Sequence, residues 1–263
     1  MVAILRLVAL LILTMGMIPV QSVLVRLSGR PRYLFARGYW RWMIKALGIR
    51  VRVHGTPPEV GPVLVVANHN GYLDVLVLGS VLAAAFVSKG EVADWPGVGF
   101  VTKLGNTVFI SRKRGESVSE KDVVRERLDQ EEVLVLFPEG TSSDGNRVLP
   151  FKSTFFAVAE KPLTDAQGNS RPVPVQPVSV AYTLLDGLPM SRAFRPFYAW
   201  YGDMTLENHL FTLLGLGNLT VDVIFHPQTS VAEHGNRKRL AAACHQAVER
   251  GLVNALSGRF DRM

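Results

Sequence analysis

His69 and Asp74 stand five residues apart in "VVANHNGYLD", at the point where an apolar run breaks. A carboxylate against one imidazole nitrogen fixes the tautomer and stabilises the imidazolium that forms when the other nitrogen takes a proton. That is the working part of a hydrolase triad, and a substrate hydroxyl could stand in for its serine. On one continuous helix the two residues would lie about 140° apart and could not meet. With His69 in a turn and Asp74 on the first helical turn, they can. Taken alone, the pair fits a helix-capping or core histidine equally well. His54, His209, His226, His234 and His245 show no comparable arrangement.

Two more segments end apolar runs in residues with chemical potential. "NTVFISRKR" closes on Arg112, Lys113 and Arg114, a guanidinium fork suited to an anion. "VLVLFPEGTSSDGN" runs into Glu139, Gly140 and Thr141, where backbone N–H groups and a carboxylate would meet a polar ligand. Each has a plainer reading, as a solvated basic loop and as a turn.

These loops need elements to hold them. "IRVRVHG" alternates apolar and basic, as a half-buried strand does, and "VLVVAN" reads as a fully buried one. A helix follows from Tyr72 to Leu82. "AFVSK", "NTVFIS", "VLVLFP", "VPVQPVSVAYT" and "LTVDVIFH" read as further strands, and "SEKDVVRERLDQEE" as an amphipathic helix. A closing helix runs from about Asn236 to Leu256, with Cys244 as a packing residue on its apolar side. The alternation predicts an α/β domain, a layered sheet with flanking helices and its site at the strand ends.

Charge and hydropathy separate the N-terminus from the rest. Nine basic residues and no acid precede residue 55, a local charge of +9 against −2 for the remainder. From Leu7 to Val25 no charged residue occurs, a stretch that at 1.5 Å per residue just covers a hydrocarbon core of about 30 Å. Gly16, Pro19, Gln21 and Ser22 leave spanning and re-entrant arrangements both open. "RPRYLFARGYWRWMIK" then interleaves arginines with aromatic rings, a headgroup-zone composition. The expected organisation is a membrane-anchoring hydrophobic helix and basic-aromatic interfacial segment over 1–48, and a catalytic domain over 49–263. The basic excess predicts that this domain faces the cytoplasm, with membrane lipids as partners and no nucleic acid. "GVGFVT" lacks the third glycine of a dinucleotide fingerprint. One cysteine excludes an internal disulfide framework.

"NHNGYLD", "GNTVFISR", "FPEGTSS" and "VPVQPVSV" stand in the order and spacing of four motif blocks. In this the chain resembles the lysophospholipid acyltransferases, the group typified by 1-acylglycerol-3-phosphate acyltransferase. The resemblance implies transfer of an acyl chain from acyl-carrier protein or coenzyme A to a lysolipid hydroxyl, with no metal and no organic cofactor. It implies His69 as base and Asp74 as its partner. Arg112, Glu139, Gly140 and Thr141 would hold the acceptor, and Pro177 would shape the acyl side. In many phosphatidate-forming members an arginine follows the threonine of the third block. Here that position is Ser142, leaving Arg112, Arg114 and Arg147 as phosphate candidates. "TSSDGNRVLPFKS" and "YAWYGDMTL" look similar to the bacterial lyso-ornithine lipid acyltransferases, whose acceptor carries no phosphate. The expectation is therefore lyso-ornithine lipid first and 1-acylglycerol-3-phosphate second, at the bacterial inner membrane. The role of "YAWYGDM" does not follow from its residues. A hydrolase would want a G-x-S-x-G elbow, which is absent, and a non-catalytic lipid carrier would not need His69 or Asp74.

Overall fold

The computed structural model describes residues 1–27, 29–95, 98–110, 120–164 and 168–260. Two helices come first, α1 (Val2–Leu24) and α2 (Pro31–Ala46). Then follow β1 (Ile49–His54), β2 (Val63–Ala67), α3 (Tyr72–Val81), β3 (Ala85–Lys89), α4 (Val98–Leu104), β4 (Val108–Ile110), α5 (Glu120–Asp129) and β5 (Val133–Leu136). The second half adds the short β6 (Leu163–Thr164) and β7 (Ser170–Arg171), the long β8 (Val175–Leu185) and the short β9 (Leu188–Pro189). It ends with α6 (Leu206–Gly215), β10 (Leu219–Phe225), α7 (Val231–His234) and α8 (Arg237–Leu256).

The main sheet has the order β1-β10-β8-β2-β5-β3-β4, with β9 paired to β8 beside that path. Its middle is parallel, β8 to β2 to β5 to β3, while β10 runs antiparallel to β8. The apolar runs that mark these strands have a direct cause. Val63, Val65 and Ala67 of β2 enter one core with α3, while Leu64 and Val66 enter the other with α5 and α8. A strand covered on both faces has no polar side to show. Alternation survives in edge strand β1, where Arg50 and Arg52 interrupt the valines. The α/β expectation therefore holds, and the helix from Asn236 does too. Asn236 caps α8 by accepting from the backbone N–H of Lys238 and Arg239, both at 3.0 Å. Cys244 is fully buried in that helix, and burial pushes its thiol up to about 12.

Helix α1 is long and apolar enough to cross a membrane, and it runs unbroken through Pro19. It also lies against the body. Arg6 donates to the carbonyls of Leu216 at 2.6 Å and Leu214 at 3.2 Å, beyond α6 and at its end. At the other end, buried Gln21 donates to Leu104 O at 2.7 Å. Thr14 meets Tyr39 of α2 at 2.8 Å. Ile4, Leu5, Val8, Leu11, Ile12 and Met15 stay exposed. Gln21 thus interrupts the apolar run because it pins the helix to α4.

Candidate active site

The site is assembled where β2 and β5, adjacent and parallel, end together. After Ala67 the chain does not leave the sheet at once. Asn68 stands in for one more strand rung, its Oδ1 accepting from Val180 N at 2.8 Å and its Nδ2 donating to Val180 O at 2.9 Å. His69 comes next, and Gly71 then turns the chain into α3 with φ of 146°. A Cβ at Gly71 would lie 2.8 Å from Trp200 N, so backbone conformation and close approach both require glycine.

His69 Nδ1 lies 3.0 Å from Asp74 Oδ2. An ionised carboxylate only accepts, so Nδ1 carries the hydrogen and Nε2 keeps a lone pair. The ring stacks on Phe137 at 4.0 Å between centroids and 19° between planes, which fixes its orientation from the β5 side. The imidazole is 22% exposed and Asp74 fully buried. Asp74 has several further donors. The N–H groups of Asn70 and Gly71 reach Oδ2, the latter at 3.1 Å. Asn70 Nδ2 and the Tyr182 hydroxyl donate to Oδ1 at 3.2 and 2.8 Å. No Arg or Lys pairs with it among the described residues. The buried anion is thus solvated by neutral dipoles, and its position in the first turn of α3 adds the helix N-terminus. One arrangement of Asp74 thus both accepts from the N–H groups that open α3 and holds the His69 ring.

The third loop closes on this turn. Glu139 is buried, and its Oε1 accepts from His69 N at 3.0 Å while its Oε2 has no hydrogen-bond partner. Burial pushes the Glu139 carboxyl up to about 8, the His69 N–H works against that, and nearby Asp74 adds to it. Ser143 N donates to His69 O at 2.8 Å, so the turn is gripped on both sides. Gly140 adopts φ of +69° and donates to Phe137 O, and the Lys152 ammonium lies beside it. Thr141 is exposed next to them.

The other sequence candidates separate. Arg112, with Lys113 and Arg114, lies outside the described residues. Pro177 is buried in β8 opposite Val66, three positions short of His69 along β2. Arg147 is exposed at the surface of the third loop. Ser142, the position at which many phosphatidate-forming members of the resembled group carry arginine, donates through Oγ to Trp200 O at 2.6 Å. Trp200 N in turn donates to Asn70 O at 2.8 Å. The "YAWYGDM" segment, left without a role above, is thereby a strap across the His69 turn.

One sequence expectation is corrected. His54 does have an acid: its Nε2 lies 2.6 Å from Asp222 Oδ1. The β1–β10 register sets Arg52 opposite Asp222, and no spacing along the chain shows a contact across 168 residues. Sequence reasoning also missed Asn70 and Tyr182. "NHN" was a visible signal for the first; Tyr182 gives none, since it arrives from a strand 108 residues further on.

The comparisons with known proteins agree with this architecture. A family model described as acyltransferase matches residues 50–181, which contain His69, Asp74, Glu139 and Pro177. The lyso-ornithine lipid O-acyltransferase of Brucella abortus (strain 2308) is 37% identical over 252 residues, covering 95% of this chain and 94% of that protein. That of Rhizobium meliloti (strain 1021) is 38% identical, covering 95% and 85%. The 1-acyl-sn-glycerol-3-phosphate acyltransferase of Neisseria meningitidis serogroup B is 30% identical over 79% of this chain and 76% of its own. The crystal structure of the 1-acyl-sn-glycerophosphate acyltransferase PlsC from Thermotoga maritima shares the fold, with a TM-score of 0.57, 22% identity and coverage of 94% and 95%. This chain belongs to the acyltransferase family, in the lysophospholipid group that its four motif blocks resemble. It is an acyltransferase.

Proposed function

We propose that this enzyme moves a fatty acyl chain from an acyl-carrier-protein or coenzyme A thioester to the hydroxyl of lyso-ornithine lipid. The observation that carries the reading is the His69–Asp74 contact, with Nε2 left free at a partly open strand end. Nε2 takes the proton of the acceptor hydroxyl as its oxygen attacks the thioester carbonyl. The tetrahedral intermediate collapses, the C–S bond breaks, and the imidazolium returns the proton to the leaving thiolate. Asp74 holds the ring and balances its positive charge. The thioester is already activated, so the reading includes no metal or organic cofactor. In this reading Glu139, Gly140 and Thr141 hold the acceptor, Arg112 joins them on the strength of the motif resemblance alone, and Pro177 shapes the acyl side.

Two observations favour lyso-ornithine lipid over 1-acylglycerol-3-phosphate. Position 142 is a serine whose hydroxyl is already engaged by Trp200, so no guanidinium stands there to fork a phosphate. The relatives at 37 and 38% identity carry the lyso-ornithine name, against 30% for the glycerophosphate enzyme. The reading puts the enzyme on the cytoplasmic side of the bacterial inner membrane, supported by the exposed apolar side of α1 and the basic residues of α2. A competition assay tests the acceptor. Purified full-length enzyme, one acyl donor and equal amounts of both lysolipids should yield mainly ornithine lipid. Phosphatidic acid as the main product would overturn that assignment and leave the acyl-transfer reading standing.

A further inference from the structure

Beside the His69 turn lies a group of rings that the chemistry above does not use. Trp200, whose backbone straps the turn, meets Trp95 at 5.6 Å between centroids and 82° between planes. On its other side Tyr72, from the first turn of α3, approaches at 6.2 Å and 56°. All three are partly exposed. They are fastened from behind. Trp200 Nε1 donates to Met204 O at 2.9 Å, and the Tyr72 hydroxyl meets His209 Nδ1 at 2.9 Å. The polar edges of Trp200 and Tyr72 are thus engaged. Trp95 and Trp200 meet edge to face at a corner where both stay partly exposed, and indole π surface there attracts an ammonium ion. Asp94 and Asp203, neighbours in sequence of the two tryptophans, are exposed and in no ion pair among the described residues. The segments that carry the two rings to this corner thus each bring an exposed acid.

The same corner accounts for Ser142. An arginine there would bring a fixed positive charge against Trp200 O, the atom that Ser142 Oγ now occupies at 2.6 Å. A serine leaves the corner free of that charge and ties it to the third loop.

We propose that Trp200 and Trp95 form the subsite for the positively charged amine of the acceptor headgroup and so set acceptor specificity. This rests on the lyso-ornithine reading, since ornithine brings a primary ammonium and a glycerophosphate brings none. The enzyme selects its acceptor by admitting a cation to an aromatic corner.

The test compares lyso-ornithine lipid with the same lipid acetylated on its side-chain nitrogen, which keeps the shape and removes the charge. Full-length enzyme in mixed micelles with a saturating acyl donor should prefer the free amine by roughly tenfold in kcat/KM, expressed mainly in KM. Trp200→Leu should shrink that ratio towards one, and Trp200→Phe should keep part of it. Trp95→Leu supplies a second route should the Trp200 variants fail to fold. The proposal is overturned if wild type does not distinguish the two lipids, or if both tryptophan variants keep the full ratio. Should wild type acylate 1-acylglycerol-3-phosphate and neither ornithine lipid, the acceptor reading itself falls and takes the subsite with it.

Discussion

Among the described residues two histidine–aspartate contacts occur, and they differ in what else touches the carboxylate. Asp222 is buried and bound by Arg52 through two bonds of 2.8 and 2.6 Å, by the Thr183 hydroxyl and by His54 at 2.6 Å. Its charge is already balanced by a guanidinium, and His54 is packed under Phe260 at 4.9 Å and 16°. Asp74 is equally buried, yet its other partners are backbone N–H groups, an amide and a phenol, all neutral. Among the described residues the His69 imidazole is the one group in that shell able to carry a positive charge. A short contact between ring and carboxylate does not make a base; an uncompensated carboxylate does.

The largest effect should come from the ring itself. His69→Ala is expected to lower turnover by 10²–10⁴-fold or more while the protein keeps its secondary structure, checked by steady-state rates alongside circular dichroism. Asp74→Asn should fall in the same range, because the amide turns a donor toward groups that all donate and disfavours the tautomer with Nδ1–H. Retained activity in either variant would erase the distinction drawn above.

Tyr182→Phe sharpens it. Loss of one donor from a buried anion removes a hydrogen bond to a charged group, worth about 1.5–3 kcal/mol. We expect kcat to drop by about tenfold with KM held, and the acid limb of the pH–rate profile to move. A mere packing defect would lower stability and leave the profile in place.

Glu139 gives a pH-dependent prediction. Burial raises its carboxyl from 4.5 to about 8, so between those values the folded state holds a proton that the unfolded state has lost. Folding stability contributed by this group therefore declines as pH rises from about 4.5 to about 8 and changes no further above that. Glu139→Gln keeps an acceptor for His69 N and should flatten this decline in thermal midpoints measured from pH 5 to 9. An unchanged slope would show that the carboxyl ionises normally.

The smallest effect belongs to the second pair. His54→Gln should change kcat/KM by less than twofold. Asp222→Asn should cost roughly 1–3 kcal/mol of stability, discounted because Arg52 is partly exposed, again without a specific loss of rate. A hundredfold loss of turnover in His54→Gln would place both pairs in the chemistry.

Much of this was legible in the chain. Buried strands announced themselves as unbroken valine and leucine runs because both sheet faces are covered, and the His69 turn because a histidine and a glycine interrupt one such run. Local partners could be read, as with Asp74, where five residues and a turn suffice. Partners delivered by strand register could not. Tyr182, Asp222 and the strap from Trp200 lie 58 to 168 residues from what they touch. Glu139 is visible in the chain as a candidate at a strand end, but its burial depends on how β5 lies beside β2, so its grip on the His69 backbone is not.

Helix α1 is fastened at both ends, by Arg6 to the carbonyls beside α6 and by Gln21 to α4. A helix held this way is a keel rather than a leash: its exposed apolar side keeps one height and tilt relative to the His69 turn. Removing the helix would not release a soluble enzyme. It would strip Leu10 and Met17 from the cores they help to close and leave apolar surface bare.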